Sequence, residues 1–155
     1  MKRWIAFVVV ALGLVGLVVS PASANSPAHH GTDSVVGDVI TCDDGLVLTA
    51  VSGYFAVTTR EGTSASGNMM ITGTGVPHGV VLVDEDGNTY RAAGAIWFGG
   101  AFNAQTGGFT FTDTEHVMFL GSNGLVGSIR TTTHVSPNGR EVSVDMGSCT
   151  APEEE

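Results

Sequence analysis

Two cysteines, Cys42 and Cys149, are the only thiols of the chain and stand near the two ends of its foldable part. They lie behind an opening segment with the make-up of an export leader. Met1-Lys2-Arg3 is basic, Trp4–Val19 is apolar, and Ala22-Ser23-Ala24 matches an A-x-A cleavage site. An exported chain meets an oxidising compartment, where a lone cysteine pair forms a structural bridge rather than a metal site. A bridge holds two Cα atoms within roughly 4.4–6.8 Å. The first and last elements of the fold are therefore expected to be neighbours.

Cleavage after Ala24 is expected to leave residues 25–155. The apolar run Trp4–Val19 falls short of the ~20 residues that span a bilayer, and no later run is longer, so no membrane association is expected once the leader is gone. Two of the six basic residues, Lys2 and Arg3, depart with the leader while all 15 acidic residues stay, which takes the charge from −9 to −11. No lysine remains. Such a surface is a poor partner for nucleic acid, which needs clustered Lys and Arg. Residues 25–34 (Pro-, Ser- and His-containing, without periodicity) are expected to form a disordered arm, 35–150 a single domain, and 151–155 an acidic tail.

The 22 glycines are about twice the usual share and follow no Gly-X-Y period. They fall between short runs rich in Val, Thr, Phe and Ile. Asp44-Gly45, Asp86-Gly87, Asn123-Gly124 and Asn138-Gly139 are strong hairpin signals, because these dipeptides tolerate the positive φ of tight turns. Strands are predicted at 35–42, 46–60, 67–75, 79–84, 88–98, 108–120, 125–135 and 140–149. Val142, Val144 and Met146 share one face of the last, and Ile129, Thr131, Thr133 and Val135 one face of the strand before it. Phe109, Phe111, Val117 and Phe119 share a parity that Asp113 and Glu115 complete. Gly53, inside a run apolar on both parities, marks a bulge or bend.

The predicted fold is all-β: a single antiparallel up-and-down meander barrel of about eight strands, closed by the Cys42–Cys149 disulfide. Closure removes the two raw edges that a meander leaves. Placing Val35 and Val39 inward turns Cys42 outward, on the side expected for Cys149. The alternative is a β-sandwich of immunoglobulin type, whose bridge joins internal strands across the core beside a packed tryptophan.

No catalytic constellation can be read. G-x-S-x-G, H-E-x-x-H and phosphate-loop patterns are missing. Asp84–Asn88 resembles a calcium loop only superficially, with Thr89 and Ala95 where an EF-hand needs Gly and Glu. His29-His30 with Asp33 lack a second ligand pair, so neither metal nor cofactor is expected. Arg130 and His134 are expected on the exterior. An inward Asp113–Glu115 pair is the one arrangement suited to acid–base work.

The leader Met1–Ala24, a cysteine in the first strand, eight or so Gly/Thr-rich strands and the closing Gly147-Ser148-Cys149 together resemble small secreted β-barrel proteins of high-GC Gram-positive bacteria. The resemblance implies the barrel and export, and no activity. The expectation is a secreted, extracellular, monomeric, non-enzymatic barrel. It would bind a small apolar molecule at a mouth lined by Phe98, Phe109, Phe111 and Phe119, or a protein partner. The alternatives are a barrel enzyme of cyclase or isomerase type using Asp113 or Glu115, and a purely structural extracellular protein.

Overall fold

The structure, a computed structural model, describes residues 27–150. The leader 1–24, the first two residues of the expected arm and the tail 151–155 lie outside the described residues. Nine strands form one antiparallel sheet: β1 (His29–Ser34), β2 (Val39–Cys42), β3 (Val47–Thr63), β4 (Met69–Val83), β5 (Thr89–Phe102), β6 (Phe109–Gly121), β7 (Gly124–Val135), β8 (Glu141–Asp145) and β9 (Cys149–Thr150). No helix occurs among the described residues. The hairpins turn where the dipeptides predict, with Gly45, Gly87, Gly124 and Gly139 at φ of 88°, 81°, 108° and 76°.

The strand order is β8-β7-β6-β5-β4-β3-β2-β9, with β1 pairing the far half of β3, and the sheet curls into a half-barrel. At one end the C-terminal segment links the two flanks of the sheet. Met146 and Ser148 donate backbone hydrogen bonds to Arg130 and Ser128 of β7, and the next residues, Cys149 and Thr150, pair with Cys42 and Thr41 of β2. The Cys42–Cys149 disulfide sits there, with Cα atoms 3.8 Å apart, closer than the expected range. At the opposite end β1 pairs with β3 and β8 with β7, which makes β1 and β8 the free edges among the described strands.

The core fills the bridged end. Leu48, Leu82 and Phe119 are fully buried, joined by Val35, Ile40, Ala50, Val80, Val117, Ile129 and the disulfide. Burying each of the larger side chains contributes roughly 1.5–3 kcal/mol. Gly127 of β7 lies against the bridge: a Cβ there would overlap the Cys149 sulfur and stand 3.2 Å from that of Cys42. This glycine makes room for the disulfide inside the sheet.

Four expectations need correction. Both cysteines point inward, buried with Ile40, and Val39 is exposed together with Thr41. The register that places Cys42 with Ile40 avoids the outward isoleucine that the alternative would require. Residues 29–34 are a strand, because the 17-residue β3 runs past β2 and offers its free backbone groups to any extended segment; six ladder pairs form without an apolar side chain in β1. The runs 67–75 and 79–84 are one strand, in which an irregularity between Gly75 and Val81 takes up Pro77 and Gly79. Val142, Val144 and Met146 share a face as predicted, but the face is exposed. A bulge does occur near Gly53, where the β3–β4 register shifts between Ala50 and Tyr54.

Candidate functional site

Directly opposed residues of an antiparallel pair share a face, so the register lists what stands beside the inward residues of β6. Asp113 lies opposite Phe98 of β5 and Thr133 of β7. Glu115 lies opposite Ile96 and Thr131, Phe111 opposite Gly100 and Val135, and Phe109 opposite Phe102. Val117 and Phe119 continue the same face into the core. The concave face away from the bridge is thus an aromatic floor with two carboxyl groups set between it and the core.

The rings meet one another. Phe98 and Phe111 have centroids 6.5 Å apart at 31°, and Phe109 and Phe111 are stacked at 6.1 Å and 15°. Glycines opposite them create the space. A Cβ on Gly73 would run into the Phe98 ring, and one on Gly100 would lie 3.1 Å from Phe111 and 3.4 Å from Phe109. Phe98, Phe109 and Phe111 are therefore brought together and stay partly open to solvent. Phe119 is not with them: it is 1% exposed and belongs to the packed core at the other end.

The two carboxyl groups differ. Glu115 is buried, and its Oε2 accepts a hydrogen bond of 3.0 Å from Thr131 Oγ1. Asp113 is half-buried, and its Oδ1 is shielded from solvent with no hydrogen-bond donor among the described residues. Loss of hydration, and next the negative charge of Glu115, push the Asp113 carboxyl up to about 7, against a smaller opposing effect of the Thr114 backbone N–H. Beside it the Thr133 and Ser143 hydroxyls hydrogen-bond each other at 3.1 Å.

The other sequence candidates separate. His116 points to the opposite face of β6 from Asp113 and Glu115, opposite Arg130 of β7. His30 and His29 fall on alternate faces of β1, and His30 bonds the Thr58 hydroxyl at 3.1 Å. No group of three or more His, Cys, Asp or Glu side chains able to hold a metal ion occurs among the described residues. In the acidic turn, Asp84 accepts hydrogen bonds from the Asn88 amide at 2.9 Å and the Tyr90 hydroxyl at 2.7 Å, which hold its carboxyl down at about 2. That carboxylate serves its own hairpin. His134 is exposed on the outer face, where its Nδ1 lies 2.9 Å from the Thr112 hydroxyl.

Sequence parity alone did not reveal the glycines beneath the rings, nor Thr131 and Thr133 beside the carboxyl groups. Pairing 108–120 with 88–98 and 125–135 through their tight turns would have aligned them. No protein-family description, curated protein or solved structure matches the chain. No helix among the described residues is long and apolar enough to cross a membrane.

Proposed function

We propose that this chain is a secreted, monomeric, non-enzymatic binding module whose concave face receives a small ligand with an apolar body and a hydrogen-bond donor. The single observation that carries the reading is the placing of Phe98, Phe109 and Phe111 on one face with Asp113, whose shielded Oδ1 has no donor of its own among the described residues. A buried acceptor without a donor is costly, and a ligand N–H or O–H would relieve that cost. The rings supply apolar area, and a ligand cation would gain from both the ring faces and the carboxylate.

Within this reading the curled sheet is an eight-stranded barrel of the kind carried by small secreted proteins of high-GC Gram-positive bacteria, with its packed end bridged and its aromatic end forming the mouth. The disulfide is compatible with an extracellular setting. The test is native mass spectrometry of protein collected from culture supernatant, joined to titration with Nile red. A co-purifying small molecule or saturable dye binding is expected, with binding weakened about tenfold by Phe111→Ala. A bare protein that binds no dye, or a variant that binds it equally well, would refute the reading.

A second reading is favoured by one observation: Asp113, held near pH 7 beside Glu115, has the ionisation of a general acid or base. An isomerase-type barrel would use it so. Turnover of the co-purified molecule, lost in Asp113→Asn although binding persists, would select this reading over the first.

A further inference from the structure

Charged side chains divide between the two faces of the sheet. Within the strands every carboxylate (Asp33, Glu61, Asp113, Glu115, Glu141 and Asp145) has the register of the concave face. Arg60, Arg91 and Arg130 have the register of the outer face and are exposed; His116 and His134 share that face, while His29 has the register of the concave one. Within the strands of this strongly acidic protein, the arginines thus share the outer face and no carboxylate joins them there.

Its centre is Trp97, 47% exposed. The row through it reads Thr58, Thr74, Trp97, Thr114, Thr132 across β3 to β7. On one side the neighbouring row reads Arg60, Thr72, Gly99, Thr112, His134; on the other, Ala95 is followed by His116 and Arg130. Trp97's neighbours on its own strand and face are Ala95 and Gly99, so nothing tall on β5 covers the indole. From the His134 row the surface falls into a depression of about 580 Å³ lined by residues that include His134 and Arg140. Strand spacing puts the Trp97 and Arg130 Cα atoms roughly 12 Å apart.

We propose that this outer face binds an anionic polysaccharide. A sugar ring carries C–H groups on its face and hydroxyls at its rim. The first suit stacking on an exposed indole, and the second suit threonine hydroxyls to either side. Uronate carboxylates along such a chain would meet Arg130 and His116 on one flank, and Arg60, His134 and Arg140 on the other. Charge complementarity selects an anionic over a neutral polymer. Nucleic acid fits less well, because the cations are sparse and set apart by uncharged hydroxyls, while phosphate tracking needs them clustered. This site is independent of the concave face, lies on the other side of the sheet and shares no side chain with it.

The test is affinity electrophoresis of the exported protein in gels containing polygalacturonate, dextran or single-stranded poly-dT. Retardation by polygalacturonate is expected, weakened by added salt, with the apparent Kd raised about tenfold by Trp97→Ala and restored in part by Trp97→Phe. Arg130→Ala should weaken retardation as well. Circular dichroism of each variant separates loss of the platform from loss of fold. Equal retardation of wild type and Trp97→Ala, a dextran effect as strong as that of polygalacturonate, or retardation by poly-dT alone would overturn the proposal.

Discussion

Raising the pH from about 4 to about 8 should weaken this fold through a single side chain, Asp113. Its ordinary value is 3.8, and burial together with the Glu115 charge pushes it up to about 7 in the folded protein. Between those values the folded state keeps its proton while the unfolded chain has released it. The folded state therefore binds more protons, and stability falls as pH rises. The contribution is complete below the unfolded value and is lost by the time the pH has passed the folded one. A difference of roughly three units at 1.36 kcal/mol each would give ~4 kcal/mol. Asp113 is only half-buried, so water at its open side and repacking reduce this to ~1–3 kcal/mol. The groups facing it are Phe98, Thr133, Phe111 and Glu115, of which Glu115 alone carries a carboxyl group. Asp113→Asn keeps the shape and removes the proton. Urea unfolding followed by far-ultraviolet dichroism, at constant ionic strength, should show wild type and variant about equal near pH 4. The variant should be ~1–3 kcal/mol more stable near pH 8, with unchanged m-values. A stability difference that stays constant across this range, or a variant less stable at pH 8, would refute the reasoning.

Removing the bridge by Cys42→Ala with Cys149→Ala opens a 107-residue loop and should cost up to ~4.7 kcal/mol, read as a lower urea midpoint. Gly127→Ala should destabilise by ~2–4 kcal/mol in the bridged protein, because its Cβ meets the two sulfurs, and by clearly less in the double cysteine variant; equal costs would separate the glycine from the bridge. Phe119→Ala should cost ~3–5 kcal/mol in chemical unfolding yet leave Nile red affinity unchanged, since the ring lies in the packed end. Gly73→Ala should do the reverse in emphasis, displacing the Phe98 ring and lowering dye affinity with a cost to stability of ~1–3 kcal/mol.

Strand positions were legible because turn chemistry is local. An Asx-Gly dipeptide sets its own φ, and the hairpins at Gly45, Gly87, Gly124 and Gly139 needed nothing from the rest of the chain. The shared parity of Phe109, Phe111, Asp113 and Glu115 was readable for the same reason. Which side of a strand faces the core is a long-range property, and there local pattern misled. Val142, Val144 and Met146 alternate as a buried face would, yet Ser143 and Asp145 stand in the concave rows, opposite Thr133 and Thr131. The backbone pairing of β7 with β8 fixes that side, whatever the side chains. β1 was missed because its stabilisation comes from main-chain hydrogen bonds to the overhanging part of β3, which composition does not report.

The division of strand charge between the faces gives the sheet an electrical asymmetry on top of the net negative charge of the chain. Net charge governs how it migrates in free solution, but close to a surface the nearer face dominates, since the Debye length is only about 8 Å at physiological ionic strength. Against an anionic wall it should turn its indole and arginines inward and its carboxyl-bearing concave face outward. If the outer face holds an anionic polysaccharide as proposed, the aromatic floor would face the surrounding medium.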